Sequence, residues 1–151
     1  MKKFLDLIVG ESFYSKCSIS NDELEQYLEF SKIKNIILDN IADKDHQLVS
    51  GRAILSRIEG EFTRLNQIYG NKIIFLGTDG DSEWGNRNTR FLKPLYTNQV
   101  LKLKFTIIEK IDIDENFGKI IIDFEGSLED NKTIIISKKN IYRIKKNPEN
   151  N

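Results

Sequence analysis

The sequence has one cysteine, one histidine and no excess of either charge, and each scarcity removes a class of function. A lone Cys17 excludes an intrachain disulfide and any multi-cysteine metal or iron–sulfur site, and it fits a reducing compartment. The 23 basic and 23 acidic residues balance, so no global field gathers nucleic acid or an anionic membrane surface, and neither is an expected partner. No uninterrupted apolar run approaches the roughly 20 residues that a membrane helix needs. The start Met1-Lys2-Lys3-Phe4-Leu5-Asp6-Leu7 has only a short apolar stretch, broken by Asp6, with no small-residue cleavage pattern after it, so no secretion signal is evident and the expected location is the cytoplasm. Ile, Asn and Lys are abundant, as an AT-rich genome imposes, and no single Lys or Asn carries much weight on that account.

At 151 residues the chain has the length of one domain able to bury a core without disulfides or metal. No repeat or low-complexity linker divides it. Glu11 to Ser18 alternates loosely and reads as a short strand entered from Gly10. Ser20-Asn21-Asp22-Glu23 is a capping box, and Leu24, Tyr27, Leu28 and Phe30 supply the stripe of the helix it opens. From Leu48 to Tyr69 the apolar residues Ile54, Leu55, Ile58, Phe62, Leu65, Ile68 and Tyr69 recur at intervals of three and four, which predicts the principal helix, with Gly70 as its C-cap. Arg57, Glu61 and Arg64 fall on its other side, and Gly60 in its middle suggests close packing.

Beyond Gly70 the period changes to that of strands. Ile73–Leu76 and Asn88–Leu92 are short runs, Val100–Ile108 alternates, Ile120, Ile122 and Phe124 share one face, and Thr133–Ile136 with Ile141–Ile144 supply the last strand. Asp112–Gly118 and Glu129-Asp130-Asn131 are the turns between them. A long buried helix followed by sequential antiparallel strands is an α+β pattern in which a sheet covers the helix. The domain is expected over residues 1–146, with a polar, disordered tail over 147–151.

Three stretches together resemble the MaoC-like family of the hot-dog superfamily, which contains dehydratases and (R)-specific enoyl-CoA hydratases. They are Leu7–Phe13 with Ser18–Leu24, then Leu48–Ser56, and then Arg90-Phe91-Leu92-Lys93-Pro94-Leu95-Tyr96 leading into Val100–Glu109. The resemblance implies a single hot-dog fold, a long central helix wrapped by an antiparallel sheet. It also implies chemistry on acyl thioesters of coenzyme A or acyl carrier protein, with no metal or redox cofactor. Active members carry an Asp and a His separated by four residues after the acidic helix. Matching Ser31 to the family's small residues puts Ile33 and Leu38 at those places, and neither can move a proton. Ser50 stands where the family usually has His beside Gly51.

The candidate site residues follow from this mixture. His46, flanked by Asp43 and Asp45, is the only imidazole and the natural acid–base candidate, although a solvated loop histidine is the preferred reading. Glu59 reads first as a charge on the exposed side of the helix. Matched instead to hot-dog thioesterases, it falls where such enzymes often carry a carboxylate base or nucleophile. Ser50, Gly51 and Arg52 form the helix start, whose unpaired amides and partial positive charge suit a thioester carbonyl. Trp84 is a candidate to line an acyl tunnel or a subunit contact. Gly77-Thr78-Asp79-Gly80-Asp81 lacks calcium-loop spacing, and Gly80 with Gly85 makes no phosphate fingerprint, so no metal site is expected.

The resulting expectation is a protein that handles acyl thioesters but has lost standard hydratase catalysis, acting by binding or as a partner subunit. The alternatives are a hydratase with a relocated base and a thioesterase using Glu59. The open edges of one hot-dog sheet predict a homodimer or an assembly of dimers, or pairing with a catalytic paralogue.

Overall fold

The computed structural model describes residues 1–33, 45–78 and 88–149. Helix α1, Asn21–Ser31, begins at the capping box: Ser20 Oγ accepts from the Glu23 amide and Glu23 Oε1 accepts from the Ser20 amide, both at 3.1 Å. It ends on Lys32 in the left-handed region. Leu24 is buried, but Phe30, counted on the apolar stripe, is 86% exposed.

Helix α2, Gly51–Arg64, is the central helix, with Ser50 Oγ accepting the Ala53 amide at 3.2 Å. Ala53, Ile54, Ile58 and Phe62 are its buried stripe. Its polar side is tied to α1 through Arg57, which pairs with Glu23 at 2.6 Å and Glu61 at 2.8 Å. The helix is shorter than its hydropathy predicts. After Arg64 the chain continues in turns, with Ile68 N donating to Leu65 O at 2.9 Å. Leu65 and Ile68 stay buried in those turns while Tyr69 is 69% exposed. Tight turns preserve the spacing of three and four, so the period alone does not separate them from helix. Gly70, at φ +98°, ends the turns rather than the helix. Nothing lies within 4 Å of a Cβ built on Gly60, so the close packing expected there is absent.

One six-stranded antiparallel sheet covers the helix. Its strands are β1 (Ser12–Cys17), β2 (Ile73–Thr78), β3 (Thr89–Phe91), β4 (Leu101–Asp112), β5 (Phe117–Leu128) and β6 (Thr133–Lys145). The order is β1-β4-β5-β6-β2, with β3 also pairing with β6. Leu101, Leu103, Phe105 and Ile107 turn inward from β4 as the alternation predicts. The turn before β5 is closed by Asp114, whose carboxylate accepts the Asn116 and Phe117 amides at 2.8 Å.

The last strand is continuous but bulged. Ser137 pairs with Phe124 and Asn140 with Ile122, so Lys138 and Lys139 form an extra step, with Lys139 at φ +57° and its amide on Asp123 Oδ1 at 2.9 Å. The bulge divides the outer edge of β6. One part, Ile135–Ser137, pairs with β3, and the other, Asn140–Ile144, pairs with β2. Among the described residues no helix is long and apolar enough to cross a membrane.

At the centre, the Phe62 ring lies 5.3 Å from both Phe105 and Tyr142. At the N-terminus, Phe4 is seated on Gly118, where a Cβ would fall 2.4 Å from its ring. Replacing Phe62 with Ala should lower stability by about 3–5 kcal/mol, because a fully buried ring is removed between two strands. Urea unfolding followed by tyrosine fluorescence measures it, and a loss below about 1 kcal/mol would contradict this core assignment.

Candidate functional site

The divided edge of β6 leaves a cleft of about 560 Å³ against α2. Gly51, Arg52, Leu55 and Glu59 line it from the helix, Thr89 and Phe91 from β3, and Asn140 from β6. Gly51, Leu55 and Glu59 are spaced by four and so share one helix face. A smaller cavity of about 330 Å³ also meets Gly51 and Phe91 and extends past Ile54 to Leu95. The Phe91 ring separates them by lying on Gly51, where a Cβ would stand 2.8 Å from Cζ. Only a residue without a side chain lets the ring and the helix end approach this closely.

The strand side of the cleft is polar. Thr89 and Ser137 hydroxyls are 2.7 Å apart, and Asn140 Nδ2 donates to Ser137 Oγ at 3.0 Å and to the Ile122 carbonyl at 3.1 Å. Asn140 is only 7% exposed. Two residues further along β6, the Tyr142 side chain is buried and its hydroxyl has no hydrogen-bond partner among the described residues.

Glu59 is not the solvated surface charge that the hydropathy pattern favours. It is half-buried, and burial holds its carboxyl above the usual carboxylate range. No hydrogen bond or ion pair engages it among the described residues. The Tyr142 phenol is pushed well up by burial, with the Glu59 charge adding to the effect.

Of the other candidates, Gly51 and Arg52 line the cleft with Glu59, and Ser50 caps the helix beside them. His46 is exposed in the turn at Asp45–His46 and lines none of these cavities. Ile33 is 43% exposed at the end of α1. Leu38, Asp43 and Trp84 lie outside the described residues. Cys17 is buried, and burial pushes its thiol up to about 11, which disfavours the thiolate that nucleophilic chemistry needs. Among the described residues no three His, Cys, Asp or Glu side chains cluster as a metal site.

Sequence reasoning missed Thr89 and Asn140. The available signal was an Asn among the isoleucines of β6, but a bulge must be known before its side chain can be assigned to the inner face.

No protein-family model matches the sequence, and none of the curated proteins matches it. Solved structures do match the fold. A MaoC-like dehydratase from Rhodospirillum rubrum superposes with a TM-score of 0.67 at 11% identity, over 95% of this chain and 97% of that one. An R-hydratase from Pseudomonas aeruginosa gives 0.64 at 16% identity, over 94% and 83%. A hypothetical thioesterase from Streptococcus pneumoniae, solved with coenzyme A, gives 0.54 at 8% identity, over 93% and 84%. The chain therefore has the hot-dog fold.

The raised Glu59 carboxyl also sets a stability dependence. Folded protein holds this proton to higher pH than the unfolded chain, so stability falls as pH rises from the ordinary carboxylate range through the raised value, and the penalty is complete above it. Glu59→Gln should therefore melt higher than the wild type at neutral pH, with the gap closing as pH falls below about 4, where Glu59 becomes protonated in both states. Thermal melts of both proteins across this range check it, and an equal gap at every pH would show that burial of the charge is not the cause.

Proposed function

We propose, from a hot-dog fold shared with MaoC-like dehydratases and with a thioesterase solved with coenzyme A, that this domain binds an acyl thioester of coenzyme A or acyl carrier protein and hydrolyses it with Glu59 as general base. The observation that carries this reading is a desolvated carboxylate sharing one cleft with the start of α2. Glu59 takes a proton from water, and the water oxygen attacks the thioester carbonyl carbon. The helix end at Gly51 of a second copy stabilises the charge that develops on the carbonyl oxygen. The C–S bond then breaks, releasing a carboxylic acid and a thiol that recovers the proton. Arg52, exposed on the same wall, suits an anionic group of the carrier.

Hydrolysis needs one base and one oxyanion site, whereas enoyl hydration needs a proton donor at the α-carbon as well. Among the described residues Arg52 and Glu59 are the only charged groups lining the cleft, and His46 stands outside it. The non-catalytic reading, an acyl-binding module or a partner of a catalytic paralogue, rests on Ile33, which offers no proton chemistry at the family's acid position.

The helix itself argues for a second subunit. Gly51 and Glu59 are separated by about 12 Å along α2, too far for one carbonyl to touch both ends directly. A second copy with its helix antiparallel brings its Glu59 toward the first copy's Gly51. The outer edge of β2 carries exposed Ile74, Phe75 and Leu76, and Phe91 and Leu92 are exposed at β3. Such an open apolar edge suits pairing with another chain.

Purified protein should release free thiol from a panel of acyl-CoA substrates. Glu59→Gln should lower kcat by about 100-fold or more, while His46→Ala leaves it unchanged. Hydration of trans-2-enoyl-CoA abolished by His46→Ala would instead establish a hydratase with a relocated base, and acyl-CoA binding without turnover of either kind would establish a binding module.

Light scattering should report a dimer or a multiple of it. Replacing Ile74 and Leu76 together by Lys should yield monomer with little hydrolysis, and a monodisperse wild-type monomer at micromolar concentration would move the weight to a missing paralogue.

A further inference from the structure

The hydrogen bonds on the strand side of the cleft run in one direction. Asn140 Nδ2 lies 3.1 Å from the Ile122 carbonyl, which can only accept, and this fixes the orientation of the amide. The second Nδ2 hydrogen goes to Ser137 Oγ at 3.0 Å. Ser137, which is fully buried, then has one hydrogen of its own to give and two acceptors in reach, Thr89 Oγ1 at 2.7 Å and Asn140 Oδ1 at 3.3 Å. The 2.7 Å contact has the usual length of a hydroxyl–hydroxyl bond and the 3.3 Å contact is beyond it. Ser137 therefore donates to Thr89, and the Thr89 hydroxyl keeps its hydrogen for a group outside the network. Among the described residues no other polar group engages Thr89 Oγ1.

The strand places that spare donor over the helix. Side chains two apart on a strand share a face, so Thr89 lies on the same side of β3 as Phe91, whose ring rests on Gly51 of α2. Thr89 lines the cleft with Asn140 and Glu59. Phe91 pairs with Ile135 and Thr89 with Ser137, while Tyr142, further along β6, packs on Phe62. β6 thus runs alongside α2 from the level of Gly51 to that of Phe62. Thr89, about 7 Å from Phe91 along its strand, stands between the levels of Gly51 and Glu59.

We propose that Thr89 is a catalytic residue of the thioester site: its hydroxyl donates a hydrogen bond to the carbonyl oxygen, and Ser137 and Asn140 are the positioning residues that aim it. This rests on the hydrolytic reading of Glu59. Donors fixed in place before charge develops stabilise an oxyanion without reorganising. Asn140 donates to Ser137, Ser137 to Thr89 and Thr89 to the carbonyl, so each bond polarises the next in the direction that strengthens the last. Thr89 keeps its own proton throughout. It shares a cleft with Glu59 of the same copy, so base and donor act on one carbonyl, and the helix end of a second copy adds a further donor.

The test reads the carbonyl directly. Glu59→Gln is loaded with an acyl-CoA carrying carbon-13 at the thioester carbonyl, and difference infrared spectroscopy records the stretch, which a hydrogen bond lowers. Adding Thr89→Val should move the stretch to higher frequency, and Thr89→Ser should leave it in place. In hydrolysis by the protein with Glu59 intact, Thr89→Val should lower kcat by about 100-fold with KM little changed, as removal of one oxyanion donor does. Thr89→Ser should keep most of the activity, and Ser137→Ala should fall between the two. Circular dichroism reports folding, and Thr89→Ala replaces the valine variant should that one not fold.

An unmoved carbonyl stretch overturns the proposal whatever the activity, and so does a moved stretch with kcat unchanged. A Thr89→Val protein that only melts lower, with stretch and kcat as in its parent, shows that the network merely ties β3 to β6. If wild type binds acyl-CoA and releases no thiol, the hydrolytic reading fails on its own account. A moved stretch then still upholds the bond from Thr89 to the carbonyl, and an unmoved one removes it.

Discussion

The burial of one helix face in the curl of one sheet is the constraint from which the other features follow. Ile58 and Phe62 of α2 are fully buried, and they meet Phe105 of β4, Ile120 and Ile122 of β5 and Tyr142 of β6 within one core cluster. Each such side chain contributes about 1.5–3 kcal/mol on leaving water, so a few contacts on this stripe outweigh every surface ion pair in the molecule. To follow a cylinder the sheet must bend, and its long strands show register shifts at Ile107/Glu109, Ile122/Phe124 and Gly126/Ser127. Such irregularities bend the bulged strand and increase its twist.

The candidate site is a by-product of that bending. Where β6 takes its extra step at Lys138 and Lys139, its outer edge is shared by two short strands rather than one long one. The gap exposes the flank of α2 next to the core stripe, so Gly51, Leu55 and Glu59 lie at the border between core and solvent. A carboxylate at such a border is costly for stability and useful for proton transfer, for the same reason. Desolvation raises the energy of its charged form and brings its affinity for a proton nearer to neutral pH.

Much of the fold was legible in the residues. The Ser20–Glu23 capping box, the stripe residues Ile54, Ile58 and Phe62, and the alternation of Leu101 to Ile107 each stand in the structure where local chemistry put them. These are short-range properties: a hydroxyl reaching an amide three residues away, or a period matching a helix or a strand. The errors are equally physical. Tyr69 continued a helical spacing that the chain realises as turns, Gly70 was read as the cap of a helix that ends earlier, and Phe30 sat on a stripe whose far end is not covered.

The site was legible only in part. Gly51 and Arg52 could be singled out because a helix start has unpaired amides wherever it lies, and Glu59 could be placed on the helix, but not on its half-buried flank. Burial of Glu59 depends on how far the sheet wraps, and the inward turn of Asn140 depends on a bulge that shifts strand parity by one. By itself the sequence determined which segments become helix and strand and which of their faces are apolar, because those follow from neighbours within a few residues. Only the tertiary structure decided that Glu59 and Asn140 meet around one cleft, because residues 81 positions apart along the chain are brought together by strand order and not by any local preference.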